Sequence, residues 1–202
     1  MAQLRWSQAE AIRAGIMGGV DRAMKGRFDA YRLTGGRPPE FDAAGIPPDL
    51  RLDPNRSRLA AWRHWKSGLN TVVDGMQIIG ALDDLLIDAA GCLAPLDGKS
   101  KGDEPKDDGA QYYQTQLDVY ALLLQENGLA YRPEGWLIYY WPVVSASAES
   151  VMGFAAKAYR LTADPDRAVE TIRNAMACLA GPVPPATGGC ELCAYVTARG
   201  GA

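Results

Sequence analysis

Residues 76–100 read MQIIGALDDLLIDAAGCLAPLDGKS, and the conformation of this stretch decides the fold. Its first part, within Gly75 to Asp88, is β-like, and Gly91 to Lys99 (GCLAPLDGK) can fold back on it as a hairpin through Ala89 and Ala90. Side chains of a strand alternate between faces, so a regular first strand puts Ile79, Ala81, Asp83, Leu85 and Ile87 on one side. The second strand likewise groups Leu93, Pro95, Asp97 and Lys99. The hairpin then gathers Asp83, Asp97 and Lys99. Two carboxylates and an ammonium on one sheet surface are costly to bury without a compensating ligand. Mg²⁺ or Mn²⁺ is such a ligand, since hard cations prefer carboxylate oxygens and keep several waters. A cation held there lowers the pKa of a water and stabilises charge on a phosphate, and Lys99 would orient the water or offset transition-state charge. The plain alternative is that Asp83 and Asp84 end an exposed strand and that Asp97-Gly98-Lys99 is a polar turn, because D-x-K triplets are common by chance.

Working outward, about Ser7 to Tyr31 reads as a helix with Val20, Met24, Phe28 and Tyr31 on one face. Ser7 and Glu10 have capping-box spacing. A loop rich in Pro and Gly follows from Thr34 to Pro54, then a short helix from about Arg58 to Leu69 with Leu59, Trp62, Trp65 and Leu69 as its apolar stripe. On the other side, Ser100 to Gly109 is charged and flexible in composition. It leads to an amphipathic helix, Ala110 to Glu126, stopped by Asn127-Gly128. Trp136 to Trp141 (WLIYYW), ending at Pro142, and Phe154 to Leu161 read as strands, and a last helix starts at Asp164 and runs to about Leu179. The tail from Gly181 to Ala202 opens Pro-rich and contains CELC. This order predicts an α/β fold, a mixed central β-sheet flanked by helices.

The chain of 202 residues suits a single domain, 1–202, with the CxxC tail over about 181–202, and a hydrophobic fraction of 48% is ample for its core. A net charge of −3 excludes gripping nucleic acid by overall positive charge. It does not exclude a site whose carboxylates are neutralised by bound cations. Basic residues gather locally at Arg22, Lys25, Arg27 and Arg32, and again at Arg51, Arg56, Arg58, Arg63 and Lys66, where a solvated helix face is the ordinary reading. Met1 to Glu10 has neither a positive n-region nor an apolar h-region, and no apolar run is long enough to span a bilayer. With four cysteines and no secretory signal, the expected setting is the reducing cytoplasm, away from membranes.

Three motifs come in order: Gly80-Ala81-Leu82-Asp83, then Leu96-Asp97-Gly98-Lys99-Ser100, then Gln116-Leu117-Asp118-Val119-Tyr120 on a helix. Together they resemble the RecB-like branch of the PD-(D/E)XK nucleases, where G-x-[IV]-D, D-x-K-[TS] and Q-x-x-x-Y follow in that order. The resemblance implies the restriction-endonuclease-like core, Asp83 and Asp97 as metal ligands and Lys99 as the catalytic lysine. It also turns Gln116 and Tyr120 toward the active site or the nucleic-acid backbone. Residues four apart share one helix face, which agrees with that pairing, although Tyr113, Leu117, Tyr120 and Leu124 also suit plain packing on the sheet. The family places His or Glu on the first core helix. Gly18-Gly19-Val20-Asp21 stands there, so Asp21 is the candidate third metal ligand, with Lys25 and Asp29 on the same flank. His64, the only histidine, falls beside the Trp stripe. GVDRAMKGRFDAYR, YYQTQLDVYALLLQENG and the late PP…CxxC extend the likeness to uncharacterised bacterial domains of this branch. Two departures stand out: Pro95 within the strand that delivers Asp97, and Gly98 where a large aromatic residue is usual.

Cys190-Glu191-Leu192-Cys193 has the spacing of half a zinc or iron–sulfur site. Some relatives complete a cluster with cysteines near the N-terminus, but here none precedes Cys92. Cys178 could join Cys190 and Cys193, yet no fourth ligand is evident. CELC is therefore read as a remnant packing the tail without iron–sulfur or zinc, and Cys92 and Cys178 as buried thiols. The function implied by the resemblance is a Mg²⁺- or Mn²⁺-dependent deoxyribonuclease, an exonuclease of repair, recombination or defence, partnered with DNA and a helicase or other nucleic-acid-processing protein. The competing reading is a catalytically silent nucleic-acid-binding or assembly subunit with the same fold.

Overall fold

The computed structural model describes residues 16–64, 66–106, 109–144, 152–183, 185 and 189–199. The expected capping box at Ser7 and the start of its helix lie outside these residues, as does Trp65. The chain divides into two compact units, Met1–Val169 and Glu170–Ala202.

The first unit is an α/β structure around a five-stranded mixed sheet whose strands lie side by side in the order Arg51–Leu52, Asp84–Ile87, Leu93–Ser100, Glu134–Val144 and Met152–Thr162. Its helices are α1 (Ile16–Thr34), α2 (Pro39–Ala44), α3 (Arg56–Trp62) and α4 (Gln114–Glu126). Its strands are β1 (Arg51–Leu52), β2 (Leu69–Val73), β3 (Met76–Gly80), β4 (Asp84–Ile87), β5 (Leu93–Ser100), β6 (Glu134–Val144) and β7 (Met152–Thr162). β5 pairs antiparallel with β4 and parallel with β6, so the connection between β5 and β6 must cross over, and α4 supplies that crossover.

Period-2 alternation sorts side chains to the two faces of the sheet. Leu85, Leu93, Leu137 and Tyr139 join Leu117, Tyr120, Ala121 and Leu124 of α4 in one core cluster. Their strand neighbours Leu86, Ala94, Leu96, Trp136, Ile138 and Tyr140 join Phe28 of α1 and Phe41 of α2 in the other. Phe28 and Phe41 meet edge to face at 5.3 Å, which fastens α2 to α1. Both faces therefore carry a buried core cluster.

The stretch 76–100 folds differently from the single hairpin expected of it. The hairpin through Ala89 and Ala90 forms, with Asp84 opposite Leu96 and Ile87 opposite Leu93. The first segment, however, is two strands in two sheets. β3 pairs with β2 in a separate two-stranded sheet, and the chain bends over Ala81–Asp83 before β4 begins. Ile79, Ala81, Asp83, Leu85 and Ile87 consequently do not share one strand face. The bend is fixed by the Leu82 amide donating to the Trp62 carbonyl at 3.0 Å and by the close approach of α4 to Gly80, where a Cβ would sit 2.3 Å from Leu123 Cδ1.

Other boundaries also moved. The helix expected over Arg58 to Leu69 is only α3, and Leu69 opens β2. The Thr34–Pro54 loop contains α2 and β1. The helix expected from Ala110 begins as a 3₁₀ turn, Gly109–Tyr113, before α4. Asn127 and the left-handed Gly128 (φ 70°) end α4 as read. β6 runs through Pro142, which pairs with Phe154. Pro95 is accommodated because the parallel ladder with β6 starts only at Leu96, while the Arg132 carbonyl accepts instead from the Glu134 amide at 2.7 Å.

The second unit holds most of α5 (Pro165–Ala180) and α6 (Glu191–Ala198). Cys190 caps α6, its Sγ accepting from the Cys193 amide at 3.4 Å. Cys178 is exposed rather than buried, as is its neighbour Leu179, and Cys92 in the β4–β5 turn is only half-buried. An apolar helix end is buried only where something covers it. Among the described residues, no helix is long and apolar enough to cross a membrane.

Candidate active site

The β4–β5 register brings the two acids together. Asp84, the first residue of β4, faces Leu96, so Asp83 in the bend before β4 comes near Asp97 on β5. Asp97 is 1% exposed. Burial, and then the charge of Asp83, push its carboxyl up to about 6. The site thus carries electrostatic tension between two neighbouring carboxylates.

α4 answers the rest of Asp97. Gln116 Nε2 donates to Asp97 Oδ1 at 2.7 Å and lies 2.7 Å from the Tyr120 hydroxyl, while Gln116 Oε1 accepts from Lys99 Nζ at 3.1 Å. Tyr120 donates in turn to the Ala81 carbonyl at 2.9 Å, tying α4 to the bend that carries Asp83. Burial also drives the Tyr120 hydroxyl pKa upward, so it stays a protonated donor. Lys99 stands over the Tyr113 ring at 4.1 Å and reaches Asp97 Oδ2 at 2.6 Å. That approach is an ion pair without hydrogen-bonding geometry, since Oδ2 is buried and has no hydrogen-bond partner.

On the other flank Lys25 bridges two acids, with Nζ 2.8 Å from Asp83 Oδ1 and 3.0 Å from Asp21 Oδ2. Burial alone would lower the Lys25 pKa, but its bonds to Asp83 and Asp21 and their charges outweigh this and raise it. A narrow cavity of about 30 Å³, room for about one water-sized occupant, lies among Asp21, Lys25, Asp83 and Lys99 with Met24 and Phe28.

A second layer fixes Asp83 from behind. Arg63 donates from Nε to the Asp83 carbonyl at 2.8 Å, and its other nitrogens reach Asp29 at 2.8 Å and Asp84 at 2.9 Å. Arg32, its side chain wholly buried, bonds Asp29, Asp84 and the Asp53 carbonyl. Burial pushes the Asp84 carboxyl up to about 6 even against these two arginines. α1, α3 and the bend are thereby locked to each other.

Asp97, Lys99, Gln116 and Tyr120 form one bonded group, Asp83 lies near enough for its charge to raise the Asp97 pKa, and Lys25 joins Asp83 to Asp21. Lys25 and Asp29, placed on the same flank as Asp21, contact the assembly, Lys25 through Asp21 and Asp83 and Asp29 through Arg32 and Arg63. Arg32, Arg63 and Asp84 were missed, because the two arginines passed for members of solvated basic clusters. The adjacent acids Asp83 and Asp84 were the available signal, since strand-end acids at the edge of a core need cationic partners. His64 instead serves a turn, its Nδ1 accepting from the Lys66 amide at 3.2 Å.

The donor set suits a divalent cation. Asp97 offers a buried carboxylate whose ionisation is held back by burial and by Asp83, against the pull of Lys99, and further positive charge would relieve both. Asp83 and Asp97, with Asp21 beside them, are the residues that could hold it. Among the described residues no three His, Cys, Asp or Glu side chains converge as a ready-made nest. Lys25 instead spans Asp21 and Asp83.

No match was found among curated proteins. A family model described as the PD-(D/E)XK nuclease superfamily matches residues 10–198. Nucleases of that superfamily generally use Mg²⁺ or Mn²⁺. With this match spanning the sheet, α4 and the acid–lysine group, the chain belongs to the PD-(D/E)XK nuclease superfamily.

Proposed function

We propose that the protein is a metal-dependent deoxyribonuclease of the RecB-like branch, hydrolysing phosphodiester bonds at DNA ends in repair, recombination or defence. The observation that carries this reading is Asp97, a buried carboxylate bound by Gln116 and ion-paired with Lys99, whose pKa the nearby charge of Asp83 helps to raise.

In this reading Asp83 and Asp97, with Asp21, hold Mg²⁺ or Mn²⁺. The chemistry supplied on binding is positive charge, which favours deprotonation of a water and offsets charge on the scissile phosphate. Lys99 holds its ammonium beside Asp97, where it stabilises negative charge developing on the phosphate. Gln116 fixes the orientation of both Asp97 and Lys99, and Tyr120 anchors Gln116 to the bend. Every member of the group is positioned before substrate arrives, which is the condition for electrostatic catalysis.

The expected partners are DNA and a helicase or other nucleic-acid-processing protein, with the whole chain acting as one nuclease domain in a cytoplasmic setting. The test is cleavage of end-labelled linear and circular DNA with Mg²⁺, Mn²⁺ or EDTA, comparing wild type with Asp97→Ala and Lys99→Ala. Cutting of linear DNA that EDTA and both substitutions abolish is expected. A wild type that binds DNA yet cuts neither substrate in either metal would replace this reading with a silent binding subunit.

A further inference from the structure

We propose that Lys25 is a resident counter-cation that competes with a divalent ion for Asp21 and Asp83, and so sets the protein's affinity for that ion. This rests on the metal-dependent reading of the site.

Lys25 Nζ makes 2.8 Å and 3.0 Å contacts with the two carboxylates, and its side chain is 30% exposed. It therefore sits where it attracts both acids while keeping a route out to solvent. The local charges fix the consequence. Asp21, Asp83 and Asp97 bring three negative charges, and Lys25 with Lys99 return two positive ones. A divalent ion added to that set turns its net charge from −1 to +1, so moving one ammonium away relieves repulsion on the ion.

Lys99 is the less free of the two. It is held by Gln116 and Asp97 and lies over the Tyr113 ring. The other contacts of Lys25 are with the very carboxylates the ion would take. Its flexible four-carbon stem can swing the ammonium toward water, or toward a phosphate, at small cost. Without the ion, Lys25 keeps the acids from repelling each other and the site intact. With it, Lys25 is the group displaced, so the metal-free site is stabilised at the expense of metal affinity.

Binding of Mn²⁺ to the full chain, measured by titration calorimetry without DNA, tests this apart from catalysis. Lys25→Met keeps the apolar stem and removes the charge. It should bind Mn²⁺ at least about tenfold more tightly than wild type, as expected for losing a like charge a few ångströms away. Its melting temperature without metal should be lower and should recover with Mn²⁺. Lys25→Arg, which keeps the charge, should bind within about threefold of wild type. Lys25→Gln should change affinity in the same direction as Met and stands in if the Met variant does not fold. Equal or weaker Mn²⁺ binding by the neutral variants, with wild type binding normally, overturns the competition and leaves the nuclease reading standing. Absence of Mn²⁺ binding in wild type and variants alike overturns both.

Discussion

Gln116 and Asp97 are joined by a 2.7 Å hydrogen bond from Nε2 to Oδ1, and the opposite end of the same amide accepts from Lys99. Only one orientation of the amide satisfies both neighbours, a donor toward the acid and an acceptor toward the ammonium. Gln116→Glu keeps the shape and destroys that polarity, setting a carboxylate against Asp97. The substitution should lower kcat on linear DNA at least about tenfold and lower the melting temperature at neutral pH, where two carboxylates then oppose each other. The acid limb of the pH–rate profile should move to higher pH, because a second negative charge raises the Asp97 pKa further. A loss of kcat with an unmoved acid limb would show that Gln116 does not act through Asp97.

Arg63 holds Asp83 through its carbonyl and neutralises Asp84 at the same time. Asp84 is 2% exposed, so removing one of its two arginines leaves buried charge undercompensated. Arg63→Ala should cost about 3 kcal/mol in urea unfolding. Arg63→Lys retains charge but lacks the fork that serves Asp29, Asp84 and the Asp83 carbonyl together, and should recover only part of that loss. Full recovery by lysine would mean that charge alone, and not the directional bonds, secures the bend.

The motif order and the sheet class were legible in the sequence because both rest on local rules, hairpin pairing and helical four-residue spacing. Gln116 and Tyr120 lie one turn apart on α4 and meet Asp97 and Ala81 as that spacing requires. The bend at Ala81–Asp83 was not legible, since it depends on Trp62 and Leu123, far apart in sequence. One local signal was overlooked. Asp74-Gly75, both at positive φ (47° and 86°), is a hairpin turn, and it converts Val73 and Met76 into the paired ends of β2 and β3. The hairpin around it pairs Leu69–Val73 with Met76–Gly80 and leaves Asp83 outside. Arg32 and Arg63 were illegible for a different reason, since composition cannot distinguish a basic residue facing water from one folded over a buried acid.

Asp97 also makes stability depend on pH. In the unfolded chain a carboxyl of this kind releases its proton near 3.8, whereas the folded one holds it up to about 6. The folded state therefore binds more protons across that window, so stability falls as pH rises from about 4 to about 6 and stays reduced above it. Asp84 is displaced in the same direction and adds to the slope. Asp97→Asn removes the buried charge at its source. Without metal at pH 7.5 it should be more stable than wild type by up to about 3 kcal/mol, a rise of several degrees in melting temperature, while cleavage is lost. Wild type should in turn lose Mn²⁺ affinity as pH falls through about 6, where the proton competes for the same carboxylate. A lower melting temperature for Asp97→Asn than for wild type at pH 7.5 would contradict the idea that Asp97 is held at a cost for its chemistry.

Two glycines of the motifs should respond oppositely to alanine. At Gly80 an added Cβ meets Leu123 Cδ1 at 2.3 Å, and Leu123 is fully buried, so it has little room to turn away. Tyr120 lies next to the same point at 3.6 Å. Gly80→Ala should therefore destabilise the protein by about 1–3 kcal/mol and push α4, with Gln116 and Tyr120, away from the bend. Gly98 has open space where its Cβ would be and no positive φ, although it lies between Asp97 and Lys99. Gly98→Ala should leave stability unchanged or raise it by up to about 1 kcal/mol, through the reduced freedom of the unfolded chain. Urea unfolding of both variants checks the pair. If Gly98→Ala proved the more damaging, the space beside the acid–lysine group would be smaller than the cavity there requires, and the glycine would be serving the fold rather than leaving the site open.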